Sequence, residues 1–157
     1  MNVADPSPDT TPTACPLCAG DGGELVLRTD LLRVVLVDEP DYPGYCRVIL
    51  GAHVREMTDL TPPQIARLMG VVLAVEDALR AVMQPLKVNL ASLGNQTPHL
   101  HWHVIPRWAD DVHFPQATWG PRQREVTPVW LAARRALLPR LAEEIRSRVP
   151  ADGTAAA

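Results

Sequence analysis

Apolar positions recur with two periods along this chain. Residues 24–29 (ELVLRT) alternate polar with apolar side chains, and residues 32–38 (LRVVLVD) are β-branched and mostly apolar until Asp-Glu-Pro stops them. Residues 46–50 (CRVIL) follow a Tyr-Pro-Gly turn, and residues 87–93 (KVNLASL) run into Gly-Asn. In residues 100–106 apolar side chains alternate with histidine. These five stretches are predicted strands.

Between the third and fourth strands the period changes to that of a helix. Thr61 is a favourable N-cap, Pro62 fits the first helical position, and Gln64 supplies the third member of a capping box. Ile65, Leu68, Met69, Val72, Val75, Leu79 and Val82 then recur at three- and four-residue spacing until Pro85. A second helical pattern follows Thr127-Pro128, with Trp130, Leu131, Leu137, Leu138, Leu141 and Ile145 on one side. Pro139 kinks it or divides it in two. The expected fold is α+β: an antiparallel meander sheet of about five strands, one long inserted helix and a C-terminal helix. Residues 1–12 and 150–157 read as disordered tails around one domain at 13–149, since both ends are poor in apolar side chains able to build a core.

Composition narrows the function. Of 157 residues 46% are hydrophobic, enough for a core, but only 4% are aromatic, so aliphatic side chains must fill it. The formal charge of −3 lacks the basic surplus of a nucleic-acid binder. Apolar runs break well before the roughly 20 residues of a bilayer span, and the acidic start lacks a signal-peptide layout. A cytoplasmic protein without nucleic-acid or membrane partners is expected. Two of the three cysteines form Cys15-Pro16-Leu17-Cys18. Lacking an export signal, this is a zinc half-site or a redox pair, and because it follows a Pro-rich tail rather than a strand, zinc fits better. Two further ligands are then needed. Cys46, in a β-branched strand, reads as core, and His113 as a loop residue.

Three of the five histidines alternate with apolar residues in His99-Leu100-His101-Trp102-His103. On a strand all three imidazoles share one face, with neighbours about 7 Å apart at their origins. Metal ligands must each approach to about 2 Å, so one straight strand does not readily give all three to one ion. The three histidines therefore have separate tasks.

The run Asn95-Gln96-Thr97-Pro98-His99-Leu100-His101-Trp102-His103-Val104-Ile105-Pro106-Arg107 resembles the signature of the histidine triad (HIT) superfamily. Val35-Leu36-Val37-Asp38, Pro43-Gly44, Arg47-Val48-Ile49, His53-Val54 and Leu60-Thr61 follow the family's order and spacing, so the resemblance covers about residues 13–108. Where the family often carries Gly-His before its third strand, this chain has Gly44-Tyr45.

The resemblance implies a HIT-like fold and nucleotidyl transfer through a covalent histidine intermediate. His101 would attack the α-phosphorus, and His103 would sit beside the phosphate and its leaving group. Asn89, Gln96 and Thr97 would contact phosphate, and Asp38 would accept ribose hydroxyls. Relatives with an N-terminal Cys-x-x-Cys, the diadenosine tetraphosphate hydrolase-like branch, imply structural Zn2+ on Cys15, Cys18, His53 and His99. The implied substrate is a purine nucleoside phosphate, either a dinucleoside polyphosphate or a phosphoramidate. The alternative is a zinc-stabilised nucleotide-binding module with little or no turnover. A homodimer is also expected, from the family's habit and from an amphipathic helix and sheet edges that a small domain does well to cover.

Overall fold

The computed structural model describes residues 14–149; the tails expected at 1–12 and 150–157 lie outside them. A single turn, α1 (Pro16–Ala19), precedes three strands, β1 (Glu24–Arg28), β2 (Leu32–Leu36) and β3 (Cys46–Leu50). The long helix α2 (Pro62–Met83) comes next, followed by β4 (Lys87–Ala91), β5 (His101–Arg107), α3 (Pro128–Arg135) and α4 (Leu138–Arg148).

The five strands pair antiparallel in the order β1-β2-β3-β5-β4. β1 to β3 form a meander. After α2 the chain lays down β4 as the far edge, and β5 fills the gap between β3 and β4. This places β5, the histidine strand, with a partner on each side. Its pairing to β3 sets Arg47 opposite His103 and Ile49 opposite His101, while β4 sets Ala91 opposite His103.

One face of the sheet is dry. Val34, Cys46, Val48 and Val104 pack with Leu68, Val71, Val72, Val75 and Leu79 of α2, and Leu141 and Ile145 of α4 close the layer. Each such aliphatic side chain contributes about 1.5–3 kcal/mol by leaving water. At the start of α2 the Gln64 side-chain oxygen accepts from the Thr61 backbone N–H and hydroxyl, both at 2.9 Å. The C-terminal pattern is divided. α3 ends near Ala136, and Pro139 lies in the first turn of α4, where a missing N–H costs no helical hydrogen bond. Gly44 combines φ +87 with contact against Met83 of α2, so a Cβ there would collide with the methionine sulfur.

The opposite face carries the polar chemistry. Part of it is covered by the N-terminal segment, where Cys15 and Leu17 pack on Val35 and Ile49. Arg33 of β2, 4% exposed, ties that segment down by donating to the carbonyls of Leu17 (2.6 Å), Asp21 (2.9 Å) and Gly20 (3.1 Å).

Candidate active site and metal cluster

Strand alternation keeps the histidines of β5 on the open face, while Val104 enters the core. His101 is 7% exposed, and its Nδ1 lies 2.6 Å from the carbonyl oxygen of His99. A carbonyl only accepts, so Nδ1 carries the proton and Nε2 keeps a free lone pair. Burial holds the His101 pKa below its usual value, which keeps the ring neutral near pH 7.

The His103 ring centroid lies 4.7 Å from that of His101, the planes at 66°. Burial first, then the neighbouring His101 and Arg47, push the His103 pKa down to about 4. Its Nδ1 is hydrogen-bonded to the Tyr45 hydroxyl.

The two imidazoles line a cleft of about 500 Å3 with Arg47, Gln96, Thr97 and Trp119. The loop from Gly94 to Thr97 forms one wall, and Gly94 adopts φ +80 to make the turn. A second cleft of about 470 Å3 shares His103, Arg47, Gln96 and Trp119 with the first and adds Tyr45, Glu39 and Asp41.

The third histidine faces elsewhere. His99, 1% exposed, donates from Nε2 to the Leu50 carbonyl at 2.8 Å, so its Nδ1 is the nitrogen with the lone pair. That Nδ1 lies 3.5 Å from the Cys15 sulfur and 3.4 Å from the Cys18 sulfur, and His53 Nδ1 lies 3.3 Å from Cys18. The donor atoms of Cys15, Cys18, His53 and His99 all fall within 4.8 Å of one another. In a tetrahedral site with metal–sulfur bonds of about 2.3 Å and metal–nitrogen bonds of about 2.0 Å, a sulfur–nitrogen edge is about 3.5 Å. The four residues can hold a metal ion of that geometry. His99 thus faces the cysteine cluster, while His101 and His103 line the cleft.

The remaining predicted residues separate. Gln96 and Thr97 reach the histidine cleft, whereas Asp38 and Asn89 do not. Asp38 lies past the end of β2 in another depression with Glu24 and Arg135. Asn89 accepts from Arg107 at 2.9 Å. Cys46 is fully buried and its thiol is pushed up to about 12, as expected of a core side chain. His113 sits in a loop, buried, with Nδ1 2.5 Å from the Tyr42 hydroxyl.

Sequence reasoning passed over Tyr45, Arg47 and Trp119 as site residues. Arg47 left a signal: it is the one charged position in an otherwise apolar CRVIL strand. Trp119, 71% exposed, lines both clefts from a loop whose course no local pattern announces.

The HIT domain profile matches residues 22–110 of the chain, a span that contains the strands, α2 and the triad. The chain belongs to the HIT domain family. An AP-4-A phosphorylase of Mycobacterium tuberculosis is 31% identical to this HIT protein over 120 residues, 70% of this chain and 62% of that one. A bis(5'-nucleosyl)-tetraphosphatase of Schizosaccharomyces pombe is 30% identical over 91 residues, 55% of this chain and 50% of that one. The HIT protein therefore spans less than two thirds of the length of the curated relatives it matches.

Among solved structures, a histidine triad protein of Bradyrhizobium japonicum superposes with a TM-score of 0.65 at 25% identity, covering 81% of this chain and 90% of that chain. Another, from Marinobacter aquaeolei, gives 0.63 at 27% identity, covering 80% and 92%. Among the described residues no helix is long and apolar enough to cross a membrane.

Proposed function

We propose that this HIT protein hydrolyses or transfers the nucleotidyl group of a nucleoside phosphate, with His101 as nucleophile. The observation that carries the reading is the hydrogen bond from His101 Nδ1–H to the His99 carbonyl, which leaves Nε2 as the reactive nitrogen of a cleft-lining ring. The names of the curated relatives, AP-4-A phosphorylase and bis(5'-nucleosyl)-tetraphosphatase, support a dinucleoside polyphosphate among the substrates.

In the first step the His101 Nε2 lone pair forms a bond to the α-phosphorus, and the bond from phosphorus to the leaving group breaks with its electron pair on the departing atom. Nδ1 keeps its proton, so the adduct is a nucleotidyl imidazolium held by the His99 carbonyl. In the second step an acceptor oxygen attacks phosphorus and the P–N electron pair returns to Nε2. When the acceptor is water, its surplus proton passes to solvent. With the Tyr45 hydroxyl donating to His103 Nδ1, the ring carries its proton on Nε2 and offers it to a phosphoryl oxygen. Gln96 and Thr97 supply further polar contacts to phosphate. Asn89 acts through Arg107, and Asp38 is left outside the substrate contacts.

The four-residue cluster binds zinc in this proposal, since two thiols and two imidazoles suit that ion. The ion would cross-link the N-terminal segment to the sheet beside β5, supplying stability rather than chemistry. The working form is a cytoplasmic homodimer; the exposed edge strand β4 with Leu86 (63% exposed), together with Leu73 (53%) on α2, supports such an assembly. Light scattering giving twice the chain mass at micromolar concentration is expected, and the chain mass alone contradicts it.

The activity is tested by incubating the protein with a panel of dinucleoside polyphosphates and nucleoside phosphoramidates and measuring released nucleotide. Turnover of at least one class is expected. Tight binding of all with release from none contradicts the enzyme and leaves a binding module.

A further inference from the structure

Arg47 has no part in the chemistry so far. Pairing of β3 with β5 sets it directly opposite His103, so both side chains rise from the same face of the sheet. It lines both clefts, the one holding His101 and the one beyond His103. Its guanidinium carbon lies 5.5 Å from the Tyr45 ring centroid, which fixes the head group over the residue that orients His103. Its Nε is buried and has no hydrogen-bond partner.

A buried guanidinium nitrogen without an acceptor is costly unless a ligand supplies one. Arg47 stands opposite His103 while Ile49 stands opposite His101, and the second cleft holds Arg47 and His103 without His101, so an acceptor bound there belongs to a part of the ligand beyond the phosphorus that His101 attacks. The carboxylates of the second cleft do not meet that need. Asp41 is paired with Arg122 at 2.7 Å, and neither Glu39 nor Asp41 is a hydrogen-bond partner of Arg47 Nε.

We infer that Arg47 binds the phosphate chain of the leaving group, so that the site selects anionic polyphosphate leaving groups over the amines of phosphoramidates. The inference rests on the nucleotidyl-transfer reading and names its substrate class. When the bond from the α-phosphorus to the bridging oxygen breaks, the electron pair and its negative charge stay on the terminal oxygen of the departing phosphate. A fixed cation there stabilises that charge without any proton transfer. An amine, by contrast, needs a proton as it departs. A guanidinium does not give one up, and His103 is held neutral at pH 7.

The test uses the full-length protein with AMP and ATP as binding probes, measured by calorimetry for wild type, Arg47→Met and Arg47→Lys. Wild type should bind ATP more tightly than AMP. In Arg47→Met that preference should shrink by about 10- to 100-fold, the scale of a lost charge-assisted contact, and Arg47→Lys should recover part of it. Equal affinity of wild type for the two nucleotides overturns the inference, as does a preference that survives in both variants.

Turnover gives an independent arm. The ratio of kcat/KM for diadenosine tetraphosphate to that for adenosine phosphoramidate should fall at least about tenfold in Arg47→Met, relative to wild type. An unchanged ratio overturns the inference while leaving the nucleotidyl-transfer reading intact. A wild type that releases nucleotide from neither substrate removes that reading, and the binding comparison still decides the role of Arg47.

Discussion

His99 serves two sites at once: its imidazole Nδ1 faces the Cys15 and Cys18 sulfurs, while its backbone carbonyl accepts the Nδ1–H of His101 at 2.6 Å. The cluster that anchors the N-terminal segment and the group that sets the tautomer of the proposed nucleophile are parts of one residue. Fixing the side chain of His99 also fixes the carbonyl on which His101 depends.

Breaking the metal cluster should therefore act first on folding. Cys15→Ser is expected to lower bound zinc from one per chain and to lower Tm, because the loop from residue 15 to residue 99 loses its cross-link. The kcat of the protein that remains folded should fall far less than it does for His101→Ala. Metal analysis and a thermal melt check the expectation; zinc-free wild type prepared without chelator contradicts it.

Burial of His103, with His101 and Arg47 beside it, predicts a protonation state. The folded pKa of His103, about 4, lies below its ordinary value of 6.5, so the folded protein does not protonate this ring where the unfolded chain does. Its contribution to stability is thus full above about pH 6.5 and declines as pH falls toward 4. Long-range proton–nitrogen spectra at pH 5.5 should show a neutral His103 with its proton on Nε2. A doubly protonated ring at that pH would contradict this account of His103.

These features were unequally legible from sequence. Alternation survives at His101 and His103, which lie on β5, whereas His99 sits in the bend before that strand and faces the cysteines. Pro139 opens α4 at the break the pattern placed in the C-terminal helix. The Cys-x-x-Cys half-site found its two histidines at the positions that the family resemblance supplied. Local pattern does not fix which residue on β3 faces which on β5, more than 50 positions apart. Tyr45 and Arg47 therefore came from the register, not from the spacing. Asp38 lies two residues past the end of β2, where the chain has left the strand, and it lines a depression other than the histidine cleft. A one-dimensional motif records order but not that departure.

Just beyond the triad, Arg107 and Asp111 form a buried ion pair at 2.7 Å, with side chains 4% and 0% exposed. Asp111 also accepts from the backbone N–H groups of Trp108, His113 and Phe114; burial works to raise its carboxyl, but Arg107 and these groups together outweigh it and hold the carboxyl below the usual range. Arg107→Met should destabilise the fold by about 3–5 kcal/mol, because it leaves the carboxylate buried and unpaired. Denaturant unfolding tests this, and a loss below about 1 kcal/mol would contradict it.

The central claim is that His101 forms the covalent bond. His101→Ala should lower kcat by about 10³-fold or more while nucleotide affinity changes little, since the substitution removes the reacting atom rather than the binding cleft. The most direct measurement is intact mass after rapid quench, without acid, of protein mixed with substrate. The account predicts a mass increase of one nucleotidyl group on wild type and none on His101→Ala. The same increase persisting in His101→Ala would show that another residue is the nucleophile.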